Sequence, residues 1–232
     1  MIKSFDEEKV ALVVTIAWLL WSNRNSIWHR GTRKTPEALV QWASHYLIEY
    51  AVVTDSSAVR PEIVNVTWTS PPPSVLKINV DSALSKPSSF AAISVVIRDD
   101  VGRIVTALCK HFHVPLGPLE VEAKAFEVGL QLAWDLGFQN VVLEGDSLVI
   151  VRALCGLSNP LASVDSLCLG MQLINSEFHL VNVSHVRRQG NKPTHLLAKF
   201  ALSIDDSCVW IGESPSCIVQ ALIQDSVIVS FN

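Results

Sequence analysis

Three strand-like runs follow one another from about Val75, and helices and strands alternate after them. In LKINVD, Leu76, Ile78 and Val80 alternate with Lys77, Asn79 and Asp81, the period of a strand with one apolar face. FAAISVVIRD and RIVTALCKHF read as the second and third strands, and the DDVG between them, Asp99 to Gly102, is a hairpin signal. The pattern then predicts a helix at about Leu119–Leu136, a strand at Asn140–Glu144 and a helix at Ser147–Leu157. A helix at about Val164–Asn175, a strand at Phe178–His185 and a helix at Asn191–Ser203 follow. Such an order predicts an α/β fold with a mixed five-stranded sheet, three antiparallel strands and then βα units, flanked by helices.

Three acidic residues sit where acid is out of place on that scaffold. Asp81 closes the run KINVD and Asp146 closes VVLEGD. On the predicted long helix, Lys124, Glu127, Gln131 and Asp135 recur at helical spacing as the wet face. At about 100° per residue, Glu122 points away from that stripe and falls among Ala125, Phe126, Gly129 and Ala133. Acidic side chains are rarely buried unless paired or holding a metal. Together the three suggest a divalent cation site, and hence phosphate chemistry. Each has an ordinary reading when taken alone. Glu122 could be a first-turn residue favouring the helix dipole, Asp146 an N-cap for the helix at Ser147, and Asp81 a simple strand end.

The chain has 232 residues, 49% of them apolar and 17% charged, which allows a packed core and argues against wholesale disorder. A formal charge of -4 provides no strong overall field for nucleic acid, so such binding must rely on local groups. Five scattered cysteines without a CxxC pair speak against a disulfide framework or zinc knot and favour reduced intracellular thiols. The most apolar stretch, Val10 to Trp21, covers twelve residues, short of the roughly 20 of a bilayer span. Its acidic flank and the WSNRN that follows do not fit a secretory signal. An intracellular, non-membrane protein is therefore expected, with nucleus and cytoplasm undistinguished; a monomer is the default expectation, the oligomeric state being unspecified by the sequence. Residues 1–53 read as a helical segment, 54–66 as a linker, 67–205 as the main domain and 206–232 as a tail, with the proline and serine of residues 54 to 74 gathered in TDSSAVRPE and TSPPPS.

Several segments carry a resemblance in order and at suitable spacing. KINVDSA (77–83), VVIRDDVGRIV (95–105), LEVEAKAFEVGLQLA (119–133), VVLEGDSLVIV (141–151) and HVRRQGNKPTHLLAKFA (185–201) resemble the plant reverse-transcriptase-like group of the type 1 ribonuclease H family. WLLWSNRNSIWHR and WTSPPPS also resemble sequence preceding this domain in plant proteins derived from non-LTR retroelements.

The resemblance implies a ribonuclease H-like fold and metal-dependent endonucleolytic hydrolysis of the RNA strand of RNA–DNA hybrids. It makes Asp81, Glu122 and Asp146 the ligands of Mg²⁺ or Mn²⁺, and His185 a mobile histidine assisting proton transfer. Bottom-up, His185 is equally an ordinary histidine at a strand end. Arg187, Arg188 and Lys192 are candidate phosphate contacts, with Asn79 and Asn191 as hydrogen-bond donors, although HVRRQGNK also reads as a solvated turn. Two departures stand out. His195 occupies the place of the family's fourth carboxylate, and an imidazole is a poorer ligand for a hard cation. Ser82 replaces the usual glycine and would stand against an approaching nucleic-acid backbone. His195 gives a second reading: a nucleic-acid-binding module that keeps the fold without turnover.

Overall fold

The computed structural model describes residues 67–85, 90–113 and 116–229, together with 13–17, 20, 35, 36, 40 and 43. Contacts divide the chain into two compact units, Met1–Glu62 and Ile63–Asn232. In the first unit, residues 13–17, 20, 36, 40 and 43 are helical. The rest of the expected 1–53 helical segment, and the 54–66 linker, lie outside the described residues. Among the described residues, no helix is long and apolar enough to cross a membrane.

The second unit begins its sheet with β1 (Leu76–Leu84), β2 (Ala91–Arg98) and β3 (Ile104–Phe112), an antiparallel meander. The β2–β3 turn falls at DDVG, where Gly102 N–H donates to the Asp99 carbonyl and Gly102 takes φ +85°, a conformation that favours glycine. Helix α1 (Pro118–Asp135) leads to β4 (Asn140–Gly145), then come α2 (Leu148–Leu154), α3 (Asp165–Asn175) and β5 (Leu180–His185). A 3₁₀ turn at Arg188–Asn191 opens α4 (Lys192–Ala201). Strands β4 and β5 join in parallel, so the sheet order is β5-β4-β1-β2-β3-β6.

The sixth strand corrects the expected five. β6 (Cys208–Ile211) pairs antiparallel with β3, and α5 (Val219–Val229) follows it. The described part of the 206–232 stretch expected as a tail, residues 206–229, thus extends the sheet and seals its core, with Ile218 fully buried against Ala92, Val96, Leu197 and Ala201. Its strand is only four residues long, too short for a period-2 signal, and it forms because β3 offers it an open edge.

Every residue of β2 is buried, as expected of a strand covered on both faces. The Ser94 hydroxyl donates to the Thr194 carbonyl of α4. Val95, on the opposite face, is paired with Val80, and there Gly129 of α1 approaches Val80 and Ile78. Helices α1 and α4 therefore cover opposite faces of the sheet centre.

Candidate metal centre

Strands β1 and β4 stay paired only as far as Asn79 and Glu144. Beyond that point they part, leaving the kind of crevice at strand carboxyl ends where α/β sheets bind ligands. Asp81, 1% exposed, lies two residues past Asn79 on the same strand face. Asp146 follows Gly145, the last residue of β4. Glu122 enters from the beginning of α1.

Two glycines seat α1 closely enough for that entry. A Cβ on Gly145 would lie 2.5 Å from Phe126 Cζ, and one on Gly129 would lie 2.7 Å from Val80 Cγ1. Phe126 is one turn after Glu122, so the packing that fixes its ring also fixes where the carboxylate emerges. Asp81, Glu122 and Asp146 each offer an oxygen, and these atoms lie within 4.8 Å of one another.

Hydrogen bonds hold the cluster. The Ser82 amide donates to Asp81 Oδ1 at 2.8 Å, and its hydroxyl donates to Glu122 Oε1 at 2.7 Å. His195 Nδ1 lies 2.7 Å from Asp81 Oδ2. Arg188 Nε donates to Asp146 Oδ2 at 3.1 Å, and His185 Nε2 is 3.2 Å from the Asp146 carbonyl. Glu122 Oε2 is buried with no partner.

Burial first, and then the charges of Asp81 and Asp146, push the Glu122 carboxyl well above its usual range, against the opposing Ser82 bond. Asp146 is pushed up by burial and by Asp81, against the pull of Arg188. Like charges this close cost free energy unless a cation joins them. The donor set is all oxygen, one of its atoms is enclosed and unsatisfied, and both features fit a hard divalent ion such as Mg²⁺ or Mn²⁺. None of the three ordinary readings holds: β1 runs on past Asp81 to Leu84, so Asp81 is not a strand end. Ser147, not Asp146, is the N-cap of α2, and Glu122 turns into the crevice.

Other expected site residues fall elsewhere. Asn79 is fully buried: its Oδ1 accepts from Trp68 Nε1 and Arg98 Nη2, and its Nδ2 donates to Glu144. Its amide is turned into the interior, away from any surface that nucleic acid could reach. Asn191 is 1% exposed and its Nδ2 donates to the Val80 carbonyl, tying the start of α4 to β1. Ser82 faces two carboxylates, where an approaching backbone was expected. His195 contacts Asp81 and is not among the clustered donors. Arg187, Arg188 and Lys192 are exposed as surface contacts require, although Lys192 donates to Gln224 of α5.

Sequence reasoning missed a second polar assembly beside the first. Lys77 Nζ lies 2.8 Å from Glu144 Oε1, which also accepts from the Ser184 hydroxyl. Arg98 bonds Asp225 of α5 at 2.8 Å and stacks 4.0 Å from the Trp68 ring centroid. The available signal was a charged residue inside each apolar run, Glu144 in VVLEGD and Arg98 in ISVVIR.

Residues 79–201 match the family described as reverse transcriptase-like. An Arabidopsis thaliana protein carrying a provisional ribonuclease H designation is 32% identical over 145 residues. The match takes in 60% of this chain, which spans only 22% of that relative's length. RNase H1 of the archaeon Halobacterium salinarum is similar in structure, with a TM-score of 0.53 at 23% identity, covering 56% of this chain and 98% of that one. The N-terminal RNase H domain from Mycobacterium tuberculosis gives 0.52 at 20% identity, with coverages of 56% and 94%. LC11-RNase H1, solved in complex with an RNA/DNA hybrid, gives 0.51 at 19% identity, with coverages of 55% and 96%. These structures share its strand-and-helix framework, and the chain belongs to the reverse transcriptase-like family, with the ribonuclease H fold.

Proposed function

We propose that the domain hydrolyses the RNA strand of RNA–DNA hybrids, using divalent cations held by Asp81, Glu122 and Asp146. The observation carrying this reading is the convergence of three carboxylates from β1, α1 and the end of β4, with Glu122 Oε2 enclosed and unpartnered. A fold shared with a protein solved on an RNA/DNA hybrid supports the substrate class.

Divalent ions at such a site supply an activated water and neutralise charge on the leaving oxygen. The chain's own residues supply the rest. Ser82 and His195 hold Asp81, and Ser82 also holds Glu122. His185, beside the Asp146 carbonyl, would pass a proton at the edge of the site. Arg187, Arg188 and Lys192 lie around the turn into α4, where exposed cations can meet backbone phosphates. Contacts to 2′-hydroxyls would select the RNA strand.

One observation favours a second reading, a hybrid-binding module without turnover: His195 bonds Asp81 and adds no carboxylate to the cluster. Cleavage of a labelled RNA–DNA hybrid in Mg²⁺ and in Mn²⁺ separates the two. The nuclease reading expects cleavage by the wild type and none by Asp146→Asn. Folded wild-type protein that binds hybrid without cutting it would leave the binding module standing.

A further inference from the structure

Asp81 and Glu122 share one neighbour, Ser82. Its backbone N–H holds Asp81 Oδ1 and its hydroxyl holds Glu122 Oε1. The amide bond would survive any substitution except proline. The hydroxyl bond depends on the side chain, and the glycine usual at this place in the family cannot make it.

That bond constrains more than its own oxygen. A glutamate side chain reaching from the start of a helix has several rotamers, and fixing one carboxylate oxygen removes most of them. With Oε1 fixed on Ser82, Oε2 remains enclosed and unpartnered. Among the described residues, Ser82 is the sole side chain bonded to the Glu122 carboxylate. Asp81, by contrast, has a second support in His195.

We infer that Ser82 is a positioning residue that presets Glu122 to receive a divalent cation. The inference rests on the metal reading of the cluster. Groups that orient ligands in this way commonly carry a tenfold or larger share of metal affinity.

The test is Mn²⁺ titration of the full chain, followed by electron paramagnetic resonance or calorimetry. Wild type is compared with Ser82→Ala and with the same-shaped pair Ser82→Thr and Ser82→Val. Thr keeps the hydroxyl and Val lacks it, and both suit a strand position, so this pair decides the matter if Ala fails to fold. Expected affinities are about tenfold weaker for Ala and Val, and within about threefold of wild type for Thr. Equal affinities for Thr and Val, with wild type binding Mn²⁺, would overturn the inference and leave the metal reading intact. No Mn²⁺ binding by wild type would overturn both.

Discussion

Two charged assemblies lie side by side along β1 and β4, and they handle charge in opposite ways. The inner one, Lys77, Arg98, Glu144 and Asp225, balances two cations against two anions and adds bonds from Asn79, Trp68 and Ser184. The outer one sits only two residues further along each strand. It gathers three carboxylates, with exposed Arg188 and half-buried His195 as the ion-pair partners at its margin. Balanced burial of this kind holds strands in register. Unbalanced burial has no structural benefit of its own, and a divalent cation bound between the carboxylates would offset it.

The inner assembly is not free of cost either. Burial lowers the Arg98 guanidinium and raises the Asp225 carboxyl despite their mutual attraction. Solvation loss therefore outweighs the pairing on both partners. Such pairs are costly chiefly when broken, because one charge is then left alone in the interior.

Perturbing each assembly in turn should reveal the contrast. The largest effect is expected from Glu144→Ala, which strands Lys77 and removes an acceptor from Asn79 and Ser184. A loss of about 3–5 kcal/mol in urea unfolding is predicted. Gly145→Ala comes next, because the new methyl meets the Phe126 ring. It should cost about 1–3 kcal/mol by overpacking, and hybrid cleavage should fall with it as α1 and Glu122 shift.

Glu122→Gln should act in the opposite direction. The Glu122 carboxyl is raised in the folded state by burial and by its acidic neighbours. Its contribution to stability is therefore full below the ordinary glutamate range and is lost as pH rises through the folded value. Metal-free Glu122→Gln should melt several degrees above wild type at neutral pH, and the gap should close toward acid pH, while cleavage is lost. A metal-free wild type as stable as the variant at neutral pH would contradict the charge imbalance. Arg188→Ala should change stability least, by less than about 1 kcal/mol, since the arginine end of its bond to Asp146 is solvent-exposed. It should instead lower the salt dependence of hybrid binding by about one phosphate contact.

The outer assembly was legible in the sequence and the inner one was not. Glu122 betrayed itself by falling on the apolar stripe of a strongly periodic helix, and Asp81 and Asp146 by ending strand-like runs. Lys77 and Asn79 alternate with Leu76, Ile78 and Val80, and alternation alone reads them as a wet face. Both are buried, because Glu144 and Arg98 supply partners from strands 67 and 19 residues away. Pattern rules are blind to pairings of that range. The same limit explains Asn79 and Asn191, read as surface donors but spent on the interior. It also hid β6, whose four residues gain their place only from the open edge of β3. The order of strands and helices was readable because each element from α1 to α4 has its own period.

The most direct test of the central claim is the melting temperature of wild type and Asp146→Asn with and without Mn²⁺. A cation that binds only the folded cluster should raise wild-type stability, by about 2.7 kcal/mol at 100 times its dissociation constant. It should leave Asp146→Asn nearly unmoved. No rise in wild type, or an equal rise in both proteins, would contradict a cation site built from Asp81, Glu122 and Asp146.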